Sequence, residues 1–271
     1  MPPQHRADNP TALDDWIAAS TETPKRCALF CDIDGTIAPV VSRAEDAMVP
    51  LAVSRTLGRL SARLGIVACV SGRGAADAKR LVGVGGVVYA GAHGAELLNP
   101  ATGEVERAPE LEAWRKPIHE FVEELDVQAL RRDGVRLEDK DFIQALHWRG
   151  TEDDEIAEQL VHGVEEKATE RGFEIHRGRK VLEIRPPVTF NKGLVVSRLI
   201  RQSSALHAAY IGDDLTDIDA FDALRQLHAS GDLEGALCVG VASEEQPERL
   251  VNGADLMVDG PAGVAELLDS I

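Results

Sequence analysis

The sequence predicts an α/β protein: a doubly wound, mostly parallel, Rossmann-like core sheet with an inserted smaller α/β cap domain. Three features carry that expectation. Short apolar runs recur, each stopping at a cluster of polar residues; helical stretches with apolar positions three and four apart lie between several of them; and one central stretch changes to strict alternation. Strand and helix in turn imply parallel strands covered on both faces, with ligands bound beyond the strands' carboxyl ends.

Residues 1–24 are polar, with three prolines before Thr11, and read as an N-terminal arm in which Leu13–Ile17 forms a short docked helix. From Lys25 the run Cys27-Ala28-Leu29-Phe30-Cys31 stops at Asp32-Ile33-Asp34-Gly35-Thr36, as a strand buried on both faces would. The same unit returns in Ile66–Val70 before Ser71-Gly72-Arg73, in Val87–Ala90 before Gly91-Ala92-His93-Gly94, and in Ala208–Ile211 before Gly212-Asp213-Asp214. Ala236–Val239 and Leu256–Val258 complete the expected sheet. Gly83-Val84-Gly85-Gly86 lacks a nucleotide-binding spacing and reads as a turn.

The stretch 113–187 breaks this rhythm and reads as the inserted cap, leaving 25–112 and 188–271 as the core. Helices are expected around His119–Leu125 and Glu155–Arg171, and strands in four alternating runs near 135–138, 142–148, 173–176 and 181–185. Period-two alternation makes a small, mostly antiparallel sheet with one face against the helices. Glu138 with Lys140, and Glu183 with Arg185, sit two apart and so share the outward face, whereas His147 and Trp148 read as cap core.

Charge narrows the function classes. Against 46 Asp and Glu stand only 29 Lys and Arg, a net charge of −17 that repels phosphate backbones and anionic headgroups. Neither a nucleic-acid nor a membrane partner is expected. No apolar signal core or membrane-length apolar run is present, which makes a cytoplasmic location the expectation. The four cysteines fall inside apolar runs without paired metal spacing and read as buried reduced thiols. No heptad pattern demands a second copy, so a monomer acting on a small molecule is expected.

The chemistry gathers at the strand ends. Asp32 and Asp34 bracket one residue, so their carboxylates start on one face and repel unless a cation or a proton intervenes. An oxygen-rich site of this kind suits Mg²⁺, and Gly212-Asp213-Asp214-Leu215-Thr216-Asp217 brings Asp213, Asp214 and Asp217 to a second strand end nearby. Alone, Asp-x-Asp-Gly is more often a turn. The conjunction with Ser71-Gly72-Arg73, Lys192-Gly193 and Gly212-Asp213-Asp214, in that order, is what selects a site.

On these four motifs the sequence resembles the haloacid-dehalogenase-like superfamily of aspartyl-phosphate phosphatases. The resemblance implies that Asp32 is the nucleophile and Asp34 the acid and then the base. It further implies that Ser71 and Lys192 bind phosphoryl oxygens positioned by Thr36, and that Mg²⁺ is held by Asp32, the Asp34 carbonyl and Asp213, with Asp214 and Asp217 adjoining. More narrowly, Ala90–Leu97, Leu137–Lys140, Leu146–Arg149, Gly178–Pro186 and Gly212–Asp217 resemble trehalose-6-phosphate phosphatases. That likeness implies substrate contacts from Arg73, Glu138, Lys140, Arg179 or Lys180, and Glu183, while His93 either contacts substrate or orients a loop. Other sugar phosphates, such as sucrose 6-phosphate or a glycosyl phosphoglycerate, stay open as substrates. A non-catalytic sugar-phosphate-binding regulatory module is the reading from another class, and the presence of both Asp32 and Asp34 weighs against it.

Overall fold

The computed structural model describes residues 10–41, 43–100, 102–178, 180–243 and 247–271. The arm expected over the first ten residues lies outside them except for Pro10, which opens a helix. Contacts gather into two compact units, Met1–Glu106 with Phe190–Ile271, and Arg107–Thr189.

In the first unit, helix α1 (Pro10–Glu22) outruns the short Leu13–Ile17 segment because Trp16, Ala19 and Ser20 recur on one face and are all buried. Strand β1 (Cys27–Cys31) is buried at every residue. There follow α2 (Leu51–Arg63), β2 (Ile66–Val70), α3 (Ala75–Val82), β3 (Val88–Gly91), β4 (Glu96–Leu98) and β5 (Val105–Arg107). Strands β4 and β5 leave no periodic signal in the sequence, since three residues are too few to display one. Strand β4 turns back antiparallel on β3.

The second unit opens with three short helices, α4 (Pro109–Glu112), α5 (Arg115–Glu123) and α6 (Val127–Arg132). Strands β6 (Arg136–Lys140) and β7 (Ile143–His147), helix α7 (Asp154–Glu170), and strands β8 (Glu174–Gly178) and β9 (Val181–Arg185) complete it. Its sheet runs β6-β7-β9-β8, antiparallel throughout. Alternation sorts the faces as expected: Leu146, Leu182 and Ile184 pack with Phe121, Val161 and Phe173 from the helix side.

The chain then returns to the first unit through α8 (Lys192–Arg201), β10 (His207–Gly212), α9 (Leu215–Ser230), β11 (Gly235–Ala242), α10 (Glu248–Gly253), β12 (Leu256–Asp259) and α11 (Gly260–Ser270). The sheet order is β12-β11-β10-β1-β2-β3-β4-β5, parallel from β12 to β3. Successive residues of the central strands serve opposite cores. Leu29, Cys31, Val67 and Cys69 pack with α1, α2, α3 and α11, whereas Phe30, Ala68, Val70 and Tyr210 pack with α8, α9 and α10. This is the doubly wound α/β core that the sequence predicts. The four cysteines are free and buried. Among the described residues no helix is long and apolar enough to cross a membrane.

Candidate active site

Register assembles the site. Cys31 of β1 stands opposite Cys69 of β2 and Ile211 of β10, so Asp32, Ser71 and Asp213 leave three adjacent parallel strands within two residues of one another's level. Asp32 is pinned at the sheet end by its amide, which donates to the Ile211 carbonyl at 2.9 Å. The chain then turns at Gly35, whose φ is +87° and whose α-carbon lies so near Asp213 that a Cβ would sit 2.1 Å from Oδ2. Only glycine lets this loop approach the second acidic strand end.

Lys192 is the hub. It is 2% exposed, it begins α8 after the Asn191 N-cap, and its ammonium donates to Asp32 Oδ1 and to Asp217 Oδ1, both at 2.8 Å. Burial alone would discharge it, but Asp32 and Asp217 together outweigh that and keep the ammonium charged well above its ordinary range. Two of its three donors are thereby used, and Asp214 Oδ1 lies 4.0 Å from the same nitrogen.

Asp217 is wholly buried and saturated. Its Oδ1 accepts from Lys192 and, at 2.7 Å, from the Tyr210 hydroxyl; its Oδ2 accepts from the Asp213 and Asp214 amides at 3.0 and 3.1 Å. Four bonds reach the two oxygens of this one carboxylate, so Asp217 ties the ends of β10, α8 and α9 together. Asp214 is turned to its own helix: its Oδ1 accepts from the Thr216 amide at 2.8 Å and hydroxyl at 2.6 Å, capping α9. Thr36 donates its hydroxyl to Asp213 Oδ1 at 2.9 Å, which ties the Asp32 loop to the end of β10.

Ligand oxygens of Asp32, Asp213 and Asp217 converge within 4.8 Å. With Asp214 Oδ1 4.0 Å from Lys192 as well, carboxylates outnumber the ammonium in a poorly hydrated space. Burial pushes Asp32 up, with the neighbouring carboxylates adding and Lys192 opposing, and it raises Asp213 to about 6. A dication would remove that cost, and the free oxygens of Asp32 and Asp213 are the hard donors that Mg²⁺ takes. The donor set fits the ion that the sequence predicts.

Asp34 faces elsewhere. Both its oxygens are held by the Arg73 guanidinium, at 2.7 Å from Nε and 2.7 Å from Nη2, a bidentate fork. Ser71 is buried and its Oγ accepts from the Arg73 amide at 3.1 Å, which leaves its own proton to donate. His93 packs against the Gly72 α-carbon, where a Cβ would lie 2.9 Å from the imidazole, so its ring lies directly against the Ser71 loop.

On the second unit, β6, β7 and β9 carry a connected row of charges across the sheet face away from the helices. His147 Nε2 meets Glu138 Oε2 at 2.8 Å, Lys140 lies 3.8 Å from Glu138 and 3.4 Å from Glu183, and Arg185 closes the row on Glu183. Glu138, Lys140 and Glu183 are thus brought together. Lys180 is not: its ammonium is held by both Asp154 oxygens at 2.7 Å, at the start of α7. Arg179 lies outside the described residues. His147, expected in the core with Trp148, joins the polar face instead, because it ends a strand whose alternation puts Ile143, Ala145 and His147 on one side; Trp148 is buried as expected. Arg185 pairs with Glu183 on the face that their spacing predicts, whereas Tyr210, which no motif marks, has no signal in the sequence.

A family model described as trehalose-phosphatase matches residues 30–252. Trehalose-phosphate phosphatase of Mycobacterium avium is 33% identical over 249 residues, which cover 90% of this chain and 61% of that protein. This chain therefore spans less than two thirds of the length of that relative. Among solved structures, Aspergillus fumigatus trehalose-6-phosphate phosphatase aligns at 26% identity and a TM-score of 0.65, over 98% of both chains. A haloacid dehalogenase-like hydrolase from Bacteroides thetaiotaomicron, 15% identical, shares the fold at a TM-score of 0.60, over 89% of this chain and 98% of that one. With the greater part of its length matched, the chain belongs to the trehalose-phosphatase family.

Proposed function

We propose that this chain is a Mg²⁺-dependent phosphatase that hydrolyses trehalose 6-phosphate to trehalose and inorganic phosphate through an aspartyl-phosphate intermediate. The observation that carries the reading is the buried Asp32 carboxylate, held by Lys192 and clustered with Asp213 and Asp217. Family membership supports the substrate.

The chemistry follows from the residues. An oxygen of Asp32 attacks phosphorus as the bond to the sugar oxygen breaks, and Asp34 gives that oxygen a proton. A water then attacks the phosphoryl group, loses its proton to Asp34, and frees Asp32 as phosphate departs. Lys192 and the Ser71 hydroxyl face the charge on the phosphoryl oxygens, where fixed donors act most strongly. The Arg73 fork keeps Asp34 occupied until an anionic phosphoryl group competes for the guanidinium. Asp34 is then released to carry the proton. Mg²⁺ would be held by Asp32, Asp213 and the Asp34 carbonyl, and supplies charge neutralisation to a reaction that depends on positioning and electrostatics. On the second unit, Glu138, Lys140 and Glu183 offer charged partners to sugar hydroxyls, whose hydrogen bonds are stronger than neutral ones.

The test is phosphate release, with and without Mg²⁺, from trehalose 6-phosphate, sucrose 6-phosphate, glucose 6-phosphate and a glycosyl phosphoglycerate. A Mg²⁺-dependent preference for trehalose 6-phosphate is expected. Preference for another ester would retain the chemistry and reject the substrate, and no release from any ester would reject the enzyme.

A further inference from the structure

The turn between β3 and β4 touches both loops that supply phosphoryl-binding groups. On one side its backbone is laced to the Ser71 loop: the Ala92 amide donates to the Arg73 carbonyl at 2.8 Å, His93 to the Ser71 carbonyl at 3.0 Å, and Ser71 to Ala90 at 2.9 Å. Glu96, 9% exposed, extends this hold, since its Oε2 accepts from the amide of Ala75, the first residue of α3, at 2.9 Å. On the other side Gly94, at φ +102°, lies against the first turn of α8: a Cβ there would sit 2.9 Å from Val195 Cγ1 and 3.0 Å from the Asn191 carbonyl. Lys192 stands between those two residues.

The turn is also held in a costly shape. Ala92 and His93 have φ of +47° and +56°, a region that residues with a Cβ rarely enter and that costs on the order of 1 kcal/mol or more each. Such a conformation persists only where its surroundings enforce it. Here the surroundings are the Ser71 loop and the start of α8.

We propose that Ala92–Glu96 is a strut that fixes the distance between Ser71 and Lys192, and that Glu96 is its positioning residue. The inference rests on the phosphatase reading above. A buried carboxylate at a helix N-terminus meets aligned amide dipoles, and its bond to Ala75 anchors the point where the Ser71-Gly72-Arg73 loop enters α3. Without that anchor the loop can slide relative to α8. Ser71 and Lys192 would then no longer meet the same phosphoryl group at once, and Arg73 would carry Asp34 with it.

The experiment compares the unaltered chain with Glu96→Ala, Glu96→Asp and Glu96→Gln, reading kcat, KM, inhibition by orthovanadate, and melting temperature. Alanine removes the acceptor and aspartate draws it back by one methylene, so each is expected to lower kcat roughly tenfold to a hundredfold, the cost of about an ångström of misplacement. KM should stay within about threefold, because the loss falls on the transition state. Orthovanadate, which mimics that state, should weaken in step with kcat/KM. Glutamine keeps an acceptor for the Ala75 amide and should recover most of kcat. A lower melting temperature with kcat of the folded protein intact would overturn the proposal, as would equal kcat in the aspartate and glutamine variants should the alanine variant not fold. If the unaltered chain hydrolyses no phosphate ester, the phosphatase reading itself falls and takes the strut with it; normal turnover in it leaves the variants to decide the strut alone.

Discussion

The Asp32 site and the charged row on the second unit use the same side-chain chemistry in opposite settings. Lys192 and Asp32 expose 2% and 6% of their side chains, whereas Lys140 and Glu183 expose 40% and 21%. In the first setting each charge has fixed partners, and Asp217 alone accepts four hydrogen bonds. In the second a chain of single contacts links His147, Glu138, Lys140, Glu183 and Arg185 beside water. Low dielectric makes the first strong and unforgiving, because an unpaired buried charge has no water to turn to. Exposure makes the second weak and adjustable, since the pairs can open to another partner at small cost. Fixed charge suits bond breaking, and adjustable charge suits choosing a substrate.

The largest expected effect comes from breaking the buried side. Asp32→Asn should remove turnover of every ester, by roughly a thousandfold or more, while the fold persists; measurable turnover at the unaltered rate would remove Asp32 as nucleophile. Chelation of Mg²⁺ should abolish activity as well, and added Mg²⁺ should raise the melting temperature through ligand linkage, a shift that Asp213→Asn loses. Lys192→Met leaves the acidic cluster without its cation, and a chemical melt should register about 3–5 kcal/mol of lost stability. On the exposed side the effects shrink and change kind. Glu183→Gln should cost about 1–2 kcal/mol in the binding of trehalose 6-phosphate, read as a higher KM, with stability altered by less than about 1 kcal/mol. The smallest effect is a gentle rise of KM with salt, as ions screen the basic groups that meet the anionic substrate.

The same contrast explains what could be read from the sequence. Strand ends in a parallel sheet concentrate polar residues immediately after apolar runs, so Asp32, Ser71 and Asp213 stand out, and the structure brings their strands side by side, with Lys192 reaching Asp32 from the start of α8. The roles within the cluster were not legible. That Asp217 is saturated depends on Tyr210, seven residues earlier, and on a capping box that sequence spacing suggests but does not aim. Nor does spacing tell that Asp34 is gripped by Arg73, from the loop after a different strand. In the second unit alternation did reveal one outward face with Glu138, Lys140 and Glu183 on it. It missed that His147 shares that face, and it gave no sign that Lys180, two residues before Leu182, is drawn off to Asp154. Those outcomes are set by contacts between strands and helices far apart in the chain.

The most direct test of this division is to measure kcat/KM for trehalose 6-phosphate and for p-nitrophenyl phosphate, which has no sugar, in Asp32→Asn and Glu183→Gln. Asp32→Asn is expected to lose both substrates, and Glu183→Gln to lose roughly fivefold to thirtyfold on trehalose 6-phosphate while p-nitrophenyl phosphate is hydrolysed as before. Equal loss on both substrates in Glu183→Gln, or retained hydrolysis in Asp32→Asn, would contradict this division.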